Sequence, residues 1–211
     1  MKNEITESKM LQVLDWAYEK STHGIMGLDS AQELAESYIQ DNGSLEDKIN
    51  SLIRWQNTKC ATSGFLSGLG GIMTLPVAIP ANVSSVLFVQ IRMIAAIAHM
   101  CGRDLRDDKV KTLVYTCLCG SAIKDILKNA GIQVTNKLTT SMIQKYLTRE
   151  VIKKINQAVG FRLITKAGEK GVINAMKIVP VVGGIVGATF DATTTNLIGN
   201  AARNLFLYQE L

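Results

Sequence analysis

The residues of this chain that could bind or react are few, and two of them stand out because they interrupt long uncharged sequence. No charge occurs over the 32 residues 60–91, and Arg92 ends that run. Asp191 is the only charged residue between Lys177 and Arg203. An unpaired charge inside a protein is costly, so each of these groups must reach water or a partner. The candidate binding or structural polar residues are Gln90, Arg92, Asp104 and Asp191.

Arg92 and Asp191 could satisfy each other. Neither has an opposite charge within one helical turn along the sequence, so any partner must come from elsewhere in the fold. One interpretation is a bidentate pair between the two, which would fix the register of the two uncharged units. The other is that each side chain reaches solvent at the edge of a helix. Both interpretations stay open from the sequence.

Residues typical of catalysis or metal binding are scarce and poorly spaced. Histidine occurs only at His23 and His99, and neither lies in a nucleophile motif. Of the four cysteines, which lie in apolar sequence, Cys117 and Cys119 would point in different directions on a helix. The glycine-rich runs lack the lysine of a phosphate-binding loop. We therefore predict reduced, metal-free cysteines, no cofactor and no catalytic residue, a pattern that leans away from an enzyme.

Two apolar segments that contain glycine and proline organise the chain. Residues 60–101 include Pro76 and Pro80, and a regular apolar helix is predicted from about Pro80. Residues 177–206 again combine proline, clustered glycines and a helix. The glycines expected to allow close packing are Gly68, Gly70, Gly71, Gly183, Gly184 and Gly187. The first segment is either a Gly-rich loop that leads into a buried helix or a re-entrant membrane hairpin.

The elements that must position these residues are all predicted to be helices. Apolar residues recur at helical spacing, and no strand alternation appears. We predict an all-α, single-domain fold of seven to nine helices with the two Gly/Pro-interrupted apolar segments packed against each other at its centre. Helices are expected at 5–22, 31–40, after Ser44, from Pro80, 107–129, 136–147 and 149–166. Residues 1–43 are predicted to be an acidic helical extension of the domain at 44–211.

Charge is distributed unevenly and bears on the choice of partner. Residues 1–59 carry ten acidic and six basic residues, whereas residues 60–211 carry eight acidic and 17 basic residues. Anionic lipid headgroups would attract such a basic half, although a solvated face is equally compatible. Nucleic acid is not expected, because aromatic and arginine residues do not interleave. A membrane protein and a second copy of the chain are the other partners considered.

The N-terminus, MKNEITESKM, has no basic and apolar leader sequence. We therefore expect a cytoplasmic protein, with the inner face of the cytoplasmic membrane as its place of action if lipid is the partner. Apolar residues make up 47% and charged residues 19% of the chain, which is more apolar than a typical soluble domain but far from a polytopic channel.

Three blocks of sequence together resemble the bacterial EcsC family. They are GLGGIMTLPVAIP, then FVQIRMIAAIAHMCGRDL, then KIVPVVGGIVGATFDATTTNLIGNAARNLF, and their order carries the match over about Leu45 to Phe206. The family positions that map onto this chain are Gln90, Arg92, Gly102, Asp104, Pro180, Gly183, Gly187, Gly199 and Ala201. Cys101 departs from the pattern, since many relatives carry a tyrosine there. The family is α-helical without an established activity, so the resemblance implies a fold rather than a reaction or cofactor.

Two functions fit this sequence. The leading hypothesis is a nonenzymatic, membrane-associated accessory or interaction protein, based on the uncharged segments beside a basic helical half. The alternative is a soluble helical domain that binds an apolar ligand or a protein partner in a groove between its Gly-rich segments.

Overall fold

The computed structural model describes residues 6–25, 27–61, 81–132, 145–169 and 194–208, and these form a helical structure. Eight helices and no strand occur within these ranges, which confirms the predicted all-α class and helix number. The helices are α1 (Glu7–His23), α2 (Ala31–Ile39), α3 (Leu45–Ala61), α4 (Ala81–Met100), α5 (Asp108–Cys117), α6 (Ile123–Asn129), α7 (Arg149–Glu169) and α8 (194–203), which continues as a π-helical turn at Asn204–Tyr208.

Side-chain caps mark the starts of two helices that lie where the sequence predicts them. Ser30 Oγ accepts a hydrogen bond from Glu33 N at 3.2 Å, and Glu33 Oε2 accepts one from Ser30 N at 2.8 Å. This reciprocal capping box begins α2 as expected. Asp107 caps α5 by accepting from Lys109 N at 2.8 Å. These local bonds satisfy backbone donors that a helix leaves free at its first turn.

The prediction of one continuous helix over 107–129 is wrong, because the helix is interrupted near its middle. Helix α5 ends at Cys117, and a 3₁₀ turn at Gly120–Ala122 precedes α6. Gly120 adopts a φ of 57°, a left-handed conformation that a continuous α-helix does not allow. The predicted end at residue 129 is confirmed, since α6 ends at Asn129 and Gly131, one residue beyond the C-cap Ala130, has a φ of 88°.

Helix α4 is the centre of the fold. It contacts α1, α2, α3 and α5, and the residues 87–98 are all buried. A helix covered on every side needs no charged face, so burial inside the protein explains why Arg92 is the only charged residue of 87–98. The predicted contact between the two Gly-rich segments falls mainly on 62–80 and 170–193, which lie outside the described residues.

Helices α3 and α8 run antiparallel. A Cβ atom added to Gly199 would lie 2.8 Å from Ile53 Cγ1, which marks a close approach of the two helices. Arg203 donates a hydrogen bond from Nη1 to Asn50 Oδ1. The later residue of α8 thus contacts the earlier residue of α3, which is the antiparallel arrangement. As a result, the end of α3 and the beginning of α8 lie at the same end of this helix pair, and the chain continues from there into 62–80 and 170–193.

Candidate functional site

Gln90 and Arg92, two of the predicted polar residues, lie on the central helix and contact different neighbours. Gln90 is 4% exposed, and its Nε2 donates a hydrogen bond to Oγ1 of the buried Thr195 at 3.3 Å. This bond joins the middle of α4 to the first described turn of α8. The amide therefore connects the helix that follows one uncharged segment with the helix that follows the other.

Arg92 is buried rather than solvated. Its side chain is 3% exposed, and its Nη2 lies 3.9 Å from Oδ2 of Asp29, whose side chain is 72% exposed. The Nε atom of Arg92 is buried without a hydrogen-bond partner. Burial lowers the pKa of the guanidinium, and Asp29, Glu33 and Tyr38 act in the opposite direction. The guanidinium is thus incompletely paired, and its charge is directed toward the start of α2.

Sequence reasoning did not find Asp29 as a partner of Arg92. Asp29 precedes the α2 cap and follows a turn in which Gly24 and Gly27 have φ values of 76° and 84°. The two glycines indicate a turn at this place in the sequence. They do not indicate which distant cation the turn approaches. The predicted pair with Asp191 falls outside the described residues and stays a prediction.

Asp104 belongs to an exposed turn between α4 and α5. Its Oδ1 accepts from Arg106 Nε at 3.1 Å and from Arg106 N at 3.0 Å, and its Oδ2 accepts from Arg106 Nη2 at 3.3 Å. These hydrogen bonds lower the pKa of the Asp104 carboxyl. The contacts are those of a charged surface turn, and they do not bring Asp104 to Gln90 or Arg92. Asp191 and the six predicted close-packing glycines lie outside the described residues.

A second polar cluster, which the sequence did not reveal, joins α1 to α5. Asp15 Oδ1 lies 2.7 Å from Lys111 Nζ and accepts a hydrogen bond from Tyr115 OH at 2.9 Å. The rings of Tyr18 and Tyr115 meet edge to face, with centroids 5.8 Å apart, and Lys111 Nζ lies within 5.8 Å of both centroids. Burial is the main cause that raises the pKa of both phenols, so they remain hydrogen-bond donors. The cluster can clamp two helices together.

The cysteine thiols in the described region are poorly suited to act as nucleophiles or metal ligands. Cys101, Cys117 and Cys119 form no disulfide. Burial raises the pKa of Cys101 to about 11 and raises that of Cys117 as well, which keeps both protonated near neutral pH. No group of three or more histidine, cysteine or acidic side chains with metal-binding geometry occurs in the parts of the chain that the structure describes.

Among the residues that the structure describes, the most exposed large apolar side chains lie on three helices that border 62–80 or 170–193. Trp55 on α3 is 54% exposed, Phe161 on α7 is 62% exposed and Leu197 on α8 is 62% exposed. Each lies within about two helical turns of the described end of its helix. The other exposed large apolar residues are Ile39, Tyr146 and Tyr208, at 39–41%. We call Trp55, Phe161 and Leu197 the junction residues.

One open groove lies beside a junction residue. It has a volume of about 320 Å³ and is lined by Tyr38, Ser51, Arg54, Trp55 and Thr58. Tryptophan, tyrosine and arginine are the residue types that most often dominate protein interfaces. The groove therefore carries residue types suited to contact with a protein segment.

Comparison with known proteins assigns the chain to a protein family. None of the described helices combines the length and the apolar character needed to cross a bilayer. No curated protein and no solved structure matches the chain. The model of the EcsC protein family matches residues 3–209, nearly the whole sequence, and this match includes the first two helices as well as the blocks that carried the resemblance. The chain therefore belongs to the EcsC protein family.

Proposed function

We propose that this protein is a nonenzymatic accessory protein that attaches to the inner face of the cytoplasmic membrane. The observation that carries the proposal is the position of the junction residues Trp55, Phe161 and Leu197, the three most exposed large apolar side chains of the described residues. Trp55 belongs to the helix that runs into the first Gly-rich segment, Phe161 to the helix that precedes the second, and Leu197 to the helix within the second. Apolar side chains at the base of an uncharged segment suit the boundary between water and lipid.

The arrangement of α3 and α8 supports attachment at one end of the molecule. Because these helices are antiparallel through Ile53 and Gly199, Ala61 and residue 194 lie at the same end. Both uncharged segments therefore join the helices where Trp55 and Leu197 are exposed. A membrane at this end would lie within reach of both exposed side chains.

A role without catalysis is supported by the chemistry of the polar groups. Gln90 and Arg92 are buried and contact α8 and the turn before α2, respectively, and the thiol of Cys101 has a pKa raised to about 11. These groups suit stability and helix registration more than proton or group transfer.

The second candidate function is a helical domain that binds a protein partner, and the Tyr38, Arg54 and Trp55 groove favours it. A groove between the Gly-rich segments themselves would lie outside the described residues. The two candidates differ in what covers Trp55: lipid in the first and a protein segment in the second.

Vesicle flotation tests the membrane proposal. The full chain is mixed with vesicles of total bacterial lipid, and the fraction that floats is compared with a variant that carries Trp55→Ser, Phe161→Ser and Leu197→Ser. Full burial of such a side chain contributes roughly 1.5–3 kcal/mol, so partial insertion of three lowers partitioning at least tenfold. Tyr208→Ser is the matched control, because Tyr208 is also an exposed apolar residue of the α8 region but lies at its opposite end.

Two results would contradict the proposal. Absence of flotation by the wild-type chain with any vesicle would reject membrane attachment. Equal flotation of the triple variant and the wild type would show that the junction residues do not contact lipid. Circular dichroism of every variant must match the wild type, so that a loss of folding is not mistaken for a loss of binding.

A further inference from the structure

The outer face of α7 is basic and also carries an exposed phenylalanine. Lys153, Lys154, Gln157 and Phe161 are all exposed and recur at intervals of three and four residues, which places them on one side of the helix. Arg149 and Arg162 are exposed as well. The cations span about 20 Å along the helix axis, at 1.5 Å per residue.

Within the part of the chain that the structure describes, these cations form no ion pair. The three ion pairs found there join α4 to the turn before α2, α5 to α1, and two residues of the turn before α5. Glu150 is the exposed acid of this face, and Glu7 of α1 lies beside Gly160 at its margin. The face therefore keeps an excess of positive charge around Phe161.

We propose that this α7 face binds anionic lipid headgroups and thereby lays α7 against the membrane surface. The inference rests on the proposed membrane attachment and adds to it a surface and a lipid chemistry. Lysine and arginine side chains near a bilayer are attracted to anionic headgroups, and an aromatic side chain between them can enter the apolar boundary. The end of α7 leads into 170–193, so a membrane that holds this segment lies within reach of Phe161.

Charge and apolar exposure together favour lipid over nucleic acid as the occupant. Phe161 is 62% exposed on the same face as Lys153 and Lys154. Nucleic-acid surfaces add side chains that read base edges or several aromatic residues that stack on bases, whereas this face has one aromatic residue and one amide, Gln157. A bilayer needs only positive charge and an apolar anchor.

The test compares two vesicle types and two charge variants of the full chain. One vesicle is phosphatidylcholine alone, and in the other about a third of the lipid is phosphatidylglycerol, which supplies the negative surface that attracts basic residues. Lys153→Gln with Lys154→Gln removes two charges from the α7 face. Lys124→Gln with Lys128→Gln removes two exposed charges from α6 and is the matched control.

We expect the wild type and the α6 variant to float better with anionic vesicles than with neutral ones. The α7 variant should lose roughly tenfold or more of its binding to anionic vesicles, while its binding to neutral vesicles stays unchanged. Phe161→Ser should lower binding to both vesicles. High salt should abolish the difference between wild type and α7 variant, because it screens exposed charges.

The outcomes separate this inference from the proposed function. Equal wild-type binding to both vesicles, or equal loss in the α6 and α7 variants, overturns the α7 inference while membrane attachment stands. Wild-type binding to neither vesicle overturns both. A duplex DNA oligonucleotide serves as the third probe, and loss of DNA binding with unchanged lipid binding in the α7 variant would assign the face to nucleic acid and reject lipid.

Discussion

Removing the partner of a buried cation should destabilise this protein more than removing the cation itself. Arg92 Nη2 and Asp29 Oδ2 are 3.9 Å apart, and the arginine side chain is 3% exposed. At an effective dielectric constant of about 20, two unit charges at this distance interact with about 4 kcal/mol. The Asp29 side chain is 72% exposed, so water screens much of that attraction. We expect Asp29→Asn to cost about 1–2 kcal/mol of unfolding free energy.

Arg92→Met should cost less. The substitution removes a guanidinium whose Nε atom is buried without a partner and leaves an apolar side chain of similar length. Replacing an incompletely paired buried ion in this way is often nearly neutral. We therefore expect a change below about 1 kcal/mol, and we expect Asp29→Asn to have almost no effect once Arg92 is methionine.

Urea denaturation of the wild type, both single variants and the double variant measures this coupling. The coupling energy should be about 1–2 kcal/mol, because the second substitution no longer strands a charge. Asp125→Asn, an exposed acid on α6, is the control that should not couple with Arg92→Met. Additive effects of Asp29→Asn and Arg92→Met would refute the assignment. Coupling of Arg92→Met with Asp191→Asn instead would establish the alternative pair that the sequence predicted.

Two further predictions concern packing and capping. Gly199→Ala should destabilise the protein by about 1–3 kcal/mol, because the new Cβ would lie 2.8 Å from Ile53 Cγ1, and Ile53→Ala in the same chain should recover part of the loss in urea denaturation. If Ile53→Ala restored none of the stability lost in Gly199→Ala, the explanation by a local clash would be wrong. The hydrogen bond from Ser30 N lowers the pKa of the Glu33 carboxyl, so this contribution to stability is present above the unfolded pKa near 4.3 and is lost as pH falls through the folded value. Glu33→Gln keeps a side chain of similar size but removes the titrating carboxyl, so it should flatten the fall of thermal stability between about pH 5 and pH 3, and an unchanged pH profile would contradict the assignment.

Helices that are specified by neighbouring residues, through caps or apolar periodicity, could be predicted from the sequence. Ser30 and Glu33 are three residues apart, and the capping box they form requires no distant partner. The apolar pattern after Pro80 predicted a helix, and α4 occupies Ala81–Met100. Gly120 shows the limit of such signals, because a single glycine inside a helical pattern is often tolerated and its left-handed φ depends on the surrounding packing.

Contacts between distant residues were not accessible to the same reasoning. The hydrogen bond from Tyr115 to Asp15 spans 100 residues, and the one from Tyr18 OH to Leu105 O spans 87. Periodicity identified the helices that carry these side chains but not the pairs of helix faces that meet. Asp29 was missed as the partner of Arg92 for this reason, since the glycines at 24 and 27 indicate a turn but not the helix that the turn approaches.

The buried setting of α4 changes how the uncharged sequence should be read. Residues 87–98 lack an exposed face because four neighbouring helices contact α4, so the scarcity of charge over this part, where Arg92 is the only charged residue, needs no lipid. An uncharged run alone is therefore weak support for a membrane. The stronger support is that Trp55, Phe161 and Leu197 remain exposed although 44 hydrophobic residues of the described chain are buried. A fold that buries so many apolar side chains and leaves these three open on helices that border the uncharged segments has a surface suited to lipid, and the charge of α7 beside Phe161 makes anionic lipid the chemistry to test first.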